Sequence, residues 1–186
     1  MTDAALSSAR RPAAIGFAAG VGVGLAANLL RKAAVQAPSV LAGGWDAALT
    51  AEHKAALALF DKLEATADTE VGKRTILLTQ LKHAIGKHAL QEENAIYAMM
   101  RDCGLEEAAD HLNHDHGYVK QFFFDLGEMA KDDPAWLPKV REFRGMIETH
   151  MREEEDELFP SLRGKLSDEQ NAHLTTVMHR EGLKLA

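Results

Sequence analysis

Four histidines and two glutamates stand where helices would turn them inward: His53, then His88 with Glu92, then His116, then His150 with Glu154. Imidazole and carboxylate are metal ligands, and six of them converging would form the inner shell of a two-metal site. A helix bundle otherwise fills its interior with Leu, Ile, Phe and Ala. A charge taken out of water without compensation costs several kcal/mol, so six such groups in a core require something that compensates them.

Spacing alone does not single these residues out. Nine histidines and 28 acidic residues in 186 would give roughly 1.4 His-x-x-x-Glu/Asp pairs by chance. Three occur: His88/Glu92, His111/Asp115 and His150/Glu154. Helical phase separates them, because residues three and four apart share a face and a core seam advances in alternating steps of four and three. Leu105, Ala109, Leu112, His116, Val119, Phe123, Leu126 and Ala130 form one unbroken seam with His116 inside it. Val140, Phe143, Ile147, His150, Glu154 and Leu158 form another, and Leu77, Leu81, Ala84, His88, Glu92, Ala95 and Met99 a third. The first segment reads Leu49, His53, Ala56, Phe60, Leu63. His111 and Asp115 fall off their seam and read as surface residues, as do His83, His114, His173 and His179. In the acidic run Glu153–Glu157 only Glu154 has the core phase, and Tyr97 and Tyr118 lie off the seams.

The elements that carry these seams are helices. After a Pro/Ser/Gly stretch at 37–44, the first runs over Trp45–Thr66. The second runs from Glu70 to Asp102 and stops at Gly104, and the third covers Leu105–Lys131. Asp132-Asp133-Pro134 turns the chain into the fourth, which reaches Arg163. Ser167 with Gln170 reads as a capping box for a short final helix through Leu183. No sustained period-two stretch and no Asn-Gly turn marks a strand. The expected fold is all-α: an up-down-up-down four-helix bundle with an N-terminal apolar helix and a short C-terminal helix. Residues 1–44 form the N-terminal apolar segment and linker, and 45–186 the bundle with its C-terminal extension. Ligands on neighbouring helices must also be level. The His88/Glu92 midpoint and His116 lie about thirteen and twelve residues from the turn between them, whereas His53 needs a loop near 67–73 that consumes about a turn.

Residues 13–30 make an 18-residue apolar run broken only by Asn28 and flanked by Arg10-Arg11 and Arg31-Lys32. This is the shortest length that spans a bilayer. Gly16, Gly20 and Gly24 give it a flat strip for close helix approach. Ala and Gly add little drive for insertion, and basic residues on both flanks set no orientation. Three readings stay open: a membrane-associated helix, a helix used for packing or self-association into a homo-oligomer, and a cleaved export signal. Pro38 after Val35-Gln36-Ala37 weakens the last.

Composition excludes several classes. At 186 residues with 46% hydrophobic content the chain can bury one good core. A net charge of −7 without a basic stripe argues against nucleic acid as a partner. Cys103 is alone, so no intramolecular disulfide forms, and it reads as an apolar filler at a helix end. That suits a reducing compartment, and the expected location is the cytoplasm, membrane association through residues 13–30 being one of the three open readings of that segment. Scattered serines and a cysteine with no histidine in phase give a hydrolase no support.

With His53 in AEHKAALALF, His88 and Glu92 in KHALQEENAIY, His116 in HDHGYVKQFF, and His150 and Glu154 in THMREEEDELFP, the chain resembles the hemerythrin-like, HHE cation-binding family. The variant is the one whose motif reads H, HxxxE, H, HxxxE, and the resemblance covers residues 46–163. It implies a non-haem diiron centre with a bridging oxo or hydroxo ligand. Glu92 and Glu154 would bridge the metals, His53 and His88 would bind one iron, and His116 and His150 the other. Imidazole with carboxylate suits iron or manganese, and zinc would also be accepted.

Oxygen-carrying members of that family have a second histidine four residues before the third-helix ligand, and here that position is Leu112. Two histidines per metal and two shared carboxylates would leave both irons an open position. That favours redox turnover of hydrogen peroxide or oxygen, or iron holding, over reversible carriage. Catalase- or peroxidase-like handling of peroxide under oxidative stress ranks first, and a non-enzymatic iron, oxygen or redox sensor, or an oxygen-binding protein, is the rival. His111, His114 or Glu93 would restore a further ligand if a helix were locally distorted.

Overall fold

The computed structural model describes Lys32 and residues 39–185, and the regular structure of these residues is entirely helical. In chain order come α1 (Trp45–Glu64), α2 (Val71–Gln91), α3 (Tyr97–Asp102), α4 (Glu106–Glu128), α5 (Trp136–Glu153), α6 (Phe159–Lys165) and α7 (Asp168–Leu185). Turns of π-helix at Glu92–Ile96 and Glu154–Leu158 join α2 to α3 and α5 to α6, so each pair forms one continuous rod. The rods pack as a helical bundle: α1 against α2 and α5, and α4 against α3 and α5, with α7 lying along α2 and the first π turn.

Residues the sequence supplies close each connection. Gly104 takes φ +74°, the left-handed conformation that ends a helix, and the Leu105 N–H donates to the Met100 carbonyl at 2.9 Å. Ser167 and Gln170 bond reciprocally, the Gln170 N–H to Ser167 Oγ at 3.2 Å and the Ser167 N–H to Gln170 Oε1 at 2.9 Å. Between α1 and α2, the buried Arg74 donates to Thr66 Oγ1 at 2.8 Å and to Asp68 Oδ1 at 2.7 Å, and lies 5.1 Å from the Trp136 ring centroid. The segment it pins, residues 65–70, consumes the extra length that brings His53 level with His88.

Two apolar clusters form the core. One gathers Phe60, Leu81, Ile85, Phe123, Trp136 and Phe143; the other gathers Trp45, Leu49, Ile96, Met100, Leu112 and Phe159. On α1, His53 falls between Leu49 of the second and Ala56 of the first, and the other inward-facing polar residues occupy the same layer. Each fully buried large apolar side chain contributes roughly 1.5–3 kcal/mol. Clusters on both sides can therefore support a polar layer that is unfavourable by itself.

Beyond each glutamate the seam moves on by one residue. Alternating α spacing turns Met99 and Leu158 inward, yet Met100 and Phe159 are buried there, and Met99 and Leu158 only partly. The wider π turn is the cause. The Tyr97 N–H donates to the Glu92 carbonyl and the Phe159 N–H to the Glu154 carbonyl, five residues back, so each rod takes up one extra residue.

The apolar run at 13–30 lies outside the described residues. No helix among the described residues is long and apolar enough to cross a membrane.

Candidate metal centre

The structure brings the six inward-facing residues together, and all are buried, His88 the least so at 8% exposed. Their donor atoms fall into two groups. His53 Nε2 and His88 Nε2 lie 2.9 Å apart, with Glu154 Oε2 3.3 Å from the first and Glu92 Oε1 3.0 Å from the second. In the other group Glu92 Oε2 is 3.5 Å from His116 Nε2, and Glu154 Oε1 is 3.4 Å from His150 Nε2. Each glutamate offers one oxygen to each group, which is how a carboxylate shared by two metals must sit. Ligand atoms of His53, His88, Glu92 and Glu154 all lie within 4.8 Å of one another, as do those of Glu92, His116 and His150.

The site fits a cation on its own chemistry. Glu92 Oε1, Glu154 Oε2 and His150 Nε2 are buried and make no hydrogen bond. Their nearest opposite-type atoms, at 3.0, 3.3 and 3.4 Å, are not aligned for one. Buried polar atoms are rarely left in that state, and a metal ion in each group would satisfy them. Imidazole nitrogen with carboxylate oxygen is a donor set that suits iron.

Without a cation, protons supply the balancing charge. Burial opposes a charged His88, but Glu92 and Glu52 outweigh it and push its pKa up to about 10. Burial opposes a charged His116 as well, and Glu92 and Glu93 raise it to about 9. For Glu92 burial disfavours the carboxylate, yet His88 and His116 hold it well below the usual carboxylate range.

The outer nitrogen of every imidazole meets a carboxylate. Nδ1 of His53 is 2.7 Å from Glu155 Oε1, that of His88 3.3 Å from Glu52 Oε2, that of His116 3.0 Å from Glu93 Oε1, and that of His150 3.4 Å from Asp115 Oδ2. An Nδ1–H donated outward leaves the Nε2 lone pair facing the cluster. Asp115 and Glu155, which their phase marks as surface residues, are thus half-buried supports of the site.

Tyr97 is the inner residue that seam phase misses. Its buried hydroxyl lies 2.9 Å from Glu154 Oε1, 3.4 Å from Glu92 Oε2 and 3.2 Å from His116 Nε2, all atoms of the second group. Burial, then the charges of Glu92 and Glu154, raise its pKa well above the ordinary phenol value, so it acts as a neutral donor. The legible signal is a tyrosine five residues after Glu92, the spacing of a π turn. Phe159 stands five residues after Glu154 and stacks on the His53 ring, centroids 6.2 Å apart and planes 16° from parallel.

Other candidates stay outside. Leu112 is buried in the second apolar cluster, so no fifth imidazole stands there. His111 is 54% exposed with Nε2 3.4 Å from Glu153 Oε2, and His83, His114 and His173 are exposed. His179 is partly buried on α7. Glu93 faces the outer nitrogen of His116, not the cluster. Beside the four imidazoles and Glu52 lies a small cavity of about 20 Å³, otherwise lined by apolar side chains such as Ala56, Ala84, Ile85, Ile147 and Met151. A space of that size admits a water-sized or diatomic molecule.

Sequence comparisons agree with this arrangement. The family profile described as Hemerythrin HHE cation binding domain matches residues 46–162. An uncharacterised hemerythrin-like protein of Schizosaccharomyces pombe is 22% identical over 136 residues, which cover 72% of this chain and 66% of that protein. A DNA nickase of Nostoc sp. is 25% identical over 125 residues, covering 67% of this chain and 35% of the nickase. The chain therefore spans less than two thirds of either relative. No solved structure matches it.

Proposed function

The chain belongs to the hemerythrin HHE cation-binding domain family, and from that premise we propose that its buried cluster holds two non-haem iron ions and reacts with hydrogen peroxide, with dioxygen as the alternative small ligand. His53 and His88 would hold one ion, His116 and His150 the other, and Glu92 and Glu154 would be shared, in a bundle read as up-down-up-down. The observation that carries this reading is the division of each glutamate's two oxygens between two histidine pairs.

Two irons supply, when bound, a pair of redox centres able to exchange two electrons with a peroxide or with oxygen. The protein's own groups define what reaches them. The cavity admits only a small molecule, and its walls are mostly alanine, isoleucine and valine, with the Glu52 carboxylate beside the imidazoles. Glu52, Glu93, Asp115 and Glu155 orient the imidazoles from outside. The Tyr97 hydroxyl holds Glu154 Oε1 at 2.9 Å and keeps that carboxylate turned toward the cluster.

Peroxide turnover is favoured over oxygen carriage because each histidine pair has no third imidazole: Leu112 packs in the apolar core and the half-exposed His111 pairs with Glu153. Oxygen release from hydrogen peroxide by iron-loaded protein, followed with an oxygen electrode, tests this. Many turnovers per site are expected. Stoichiometric binding with an oxygen-dependent, reversible spectrum would identify a store or sensor instead.

A further inference from the structure

The four outer carboxylates obey one rule of placement. Each is the sequence neighbour of a cluster residue, and each serves a histidine on the next rod. Glu52, beside His53 on α1, meets His88 on α2, and Glu93, beside Glu92, meets His116 on α4. Asp115, beside His116, meets His150 on α5, and Glu155, beside Glu154, meets His53 on α1. The handover runs from α1 to α2, to α4, to α5 and back to α1, a closed ring around the bundle. Two of its members stand behind each histidine pair: Glu155 and Glu52 behind His53 and His88, Glu93 and Asp115 behind His116 and His150.

The ring has a mechanical and an electrostatic effect. Since every donor and acceptor pair bridges two rods, fixing the imidazole tautomers also fixes the axial register of the four rods at this layer. Glu92 and Glu154 bring two negative charges to the cluster, and the ring brings four more. Its side chains are 12 to 33% exposed, so water screens them only in part. Lys87 is the buried cation of this layer, with Nζ 2.6 Å from Glu52 Oε1, while Lys120 beside Glu93 is exposed.

We propose that Glu52, Glu93, Asp115 and Glu155 are positioning residues that together set the charge of the site for ferric over ferrous iron, two carboxylates acting on each metal position. Negative charge behind an imidazole makes it a stronger donor and lowers the energy of the more highly charged ion. The inference rests on the diiron reading and deepens it. A site biased to the ferric state opposes reversible oxygen carriage, which needs a ferrous resting state, and suits turnover of peroxide.

The test is iron content together with the ferric/ferrous midpoint potential, measured by spectroelectrochemistry on the full chain. Glu52→Gln, Glu93→Gln, Asp115→Asn and Glu155→Gln each keep an acceptor oxygen and remove one charge. Each is expected to retain two irons and to lose about tenfold in ferric preference, a rise of about 59 mV. Lys87→Met removes the opposing charge and must shift the potential the other way. Shifts of one sign in all five variants would mean loosened packing and overturn the assignment, as would unchanged potentials with iron retained. Wild-type protein that takes up no iron would overturn the diiron reading itself. The positioning role would then be read from zinc affinity by competition with a chromophoric chelator, where ring variants must lose affinity and His111→Ala must not.

Discussion

Replacing Tyr97 by Phe removes one oxygen atom from the centre of the cluster and nothing else. The hydroxyl donates to Glu154 Oε1 at 2.9 Å, with His116 Nε2 at 3.2 Å and Glu92 Oε2 at 3.4 Å as its further neighbours, and Tyr97, Glu92 and Glu154 are fully buried. A hydrogen bond to a buried charged acceptor contributes roughly 1.5–3 kcal/mol, since its loss leaves the carboxylate without a donor or water to replace it. For a chain of this length that corresponds to a fall of about 3–12 °C in Tm. Both carboxylate oxygens face the second metal position, so a bound metal gives them another partner and the loss should at least halve. The assay is thermal unfolding by far-ultraviolet circular dichroism, on chelator-treated and on iron-loaded protein. A metal-free variant melting within about 1 °C of wild type would refute the bond. An equal fall in both states would refute the claim that metal and phenol share these oxygens.

Glu92→Ala or Glu154→Ala should lower bound iron well below two per chain by elemental analysis, whereas His111→Ala, half exposed and outside the cluster, should leave it unchanged. Ala56→Leu or Ala84→Leu should fill the cavity of about 20 Å³ and abolish nitric oxide binding in a visible titration of the ferrous protein while iron stays bound. In metal-free protein the protons on His88 and His116, with pKa values pushed up to about 10 and about 9, contribute stability that is fully present below the ordinary histidine value of 6.5. It is lost as pH rises through 9 to 10, so Tm of chelator-treated protein should fall across that window, and that of iron-loaded protein should not. Arg74→Met should cost roughly 3 kcal/mol in urea unfolding, by leaving the Thr66 and Lys131 acceptors unpaired, without changing iron content.

The helical periodicity of the sequence was informative up to each glutamate and misleading after it. Leu77, Leu81, His88 and Glu92 keep α spacing, and all are buried as that spacing requires. The π turn that follows adds a residue which no apolar pattern announces, so Met99 and Leu158 give way to Met100 and Phe159, and Tyr97 enters a site from which its phase excluded it. The outer carboxylates were hidden for a different reason. Asp115 and Glu155 sit one position from an inward residue, at the flank of their own helix, and serve a histidine on another rod. Seam phase describes only what a helix turns toward the core. Gly104 and the Ser167/Gln170 pair were legible because they act on their own backbone, through a positive φ and reciprocal capping bonds.

Whether six residues from four rods hold two metal ions is decided by elemental analysis of freshly purified protein, with a near-ultraviolet spectrum recorded before and after peroxide. About two irons per chain are expected, falling in Glu92→Ala and Glu154→Ala, with an oxygen-to-iron absorption that changes when peroxide is added. No iron uptake after anaerobic loading, or uptake that survives loss of both glutamates, would contradict this reading.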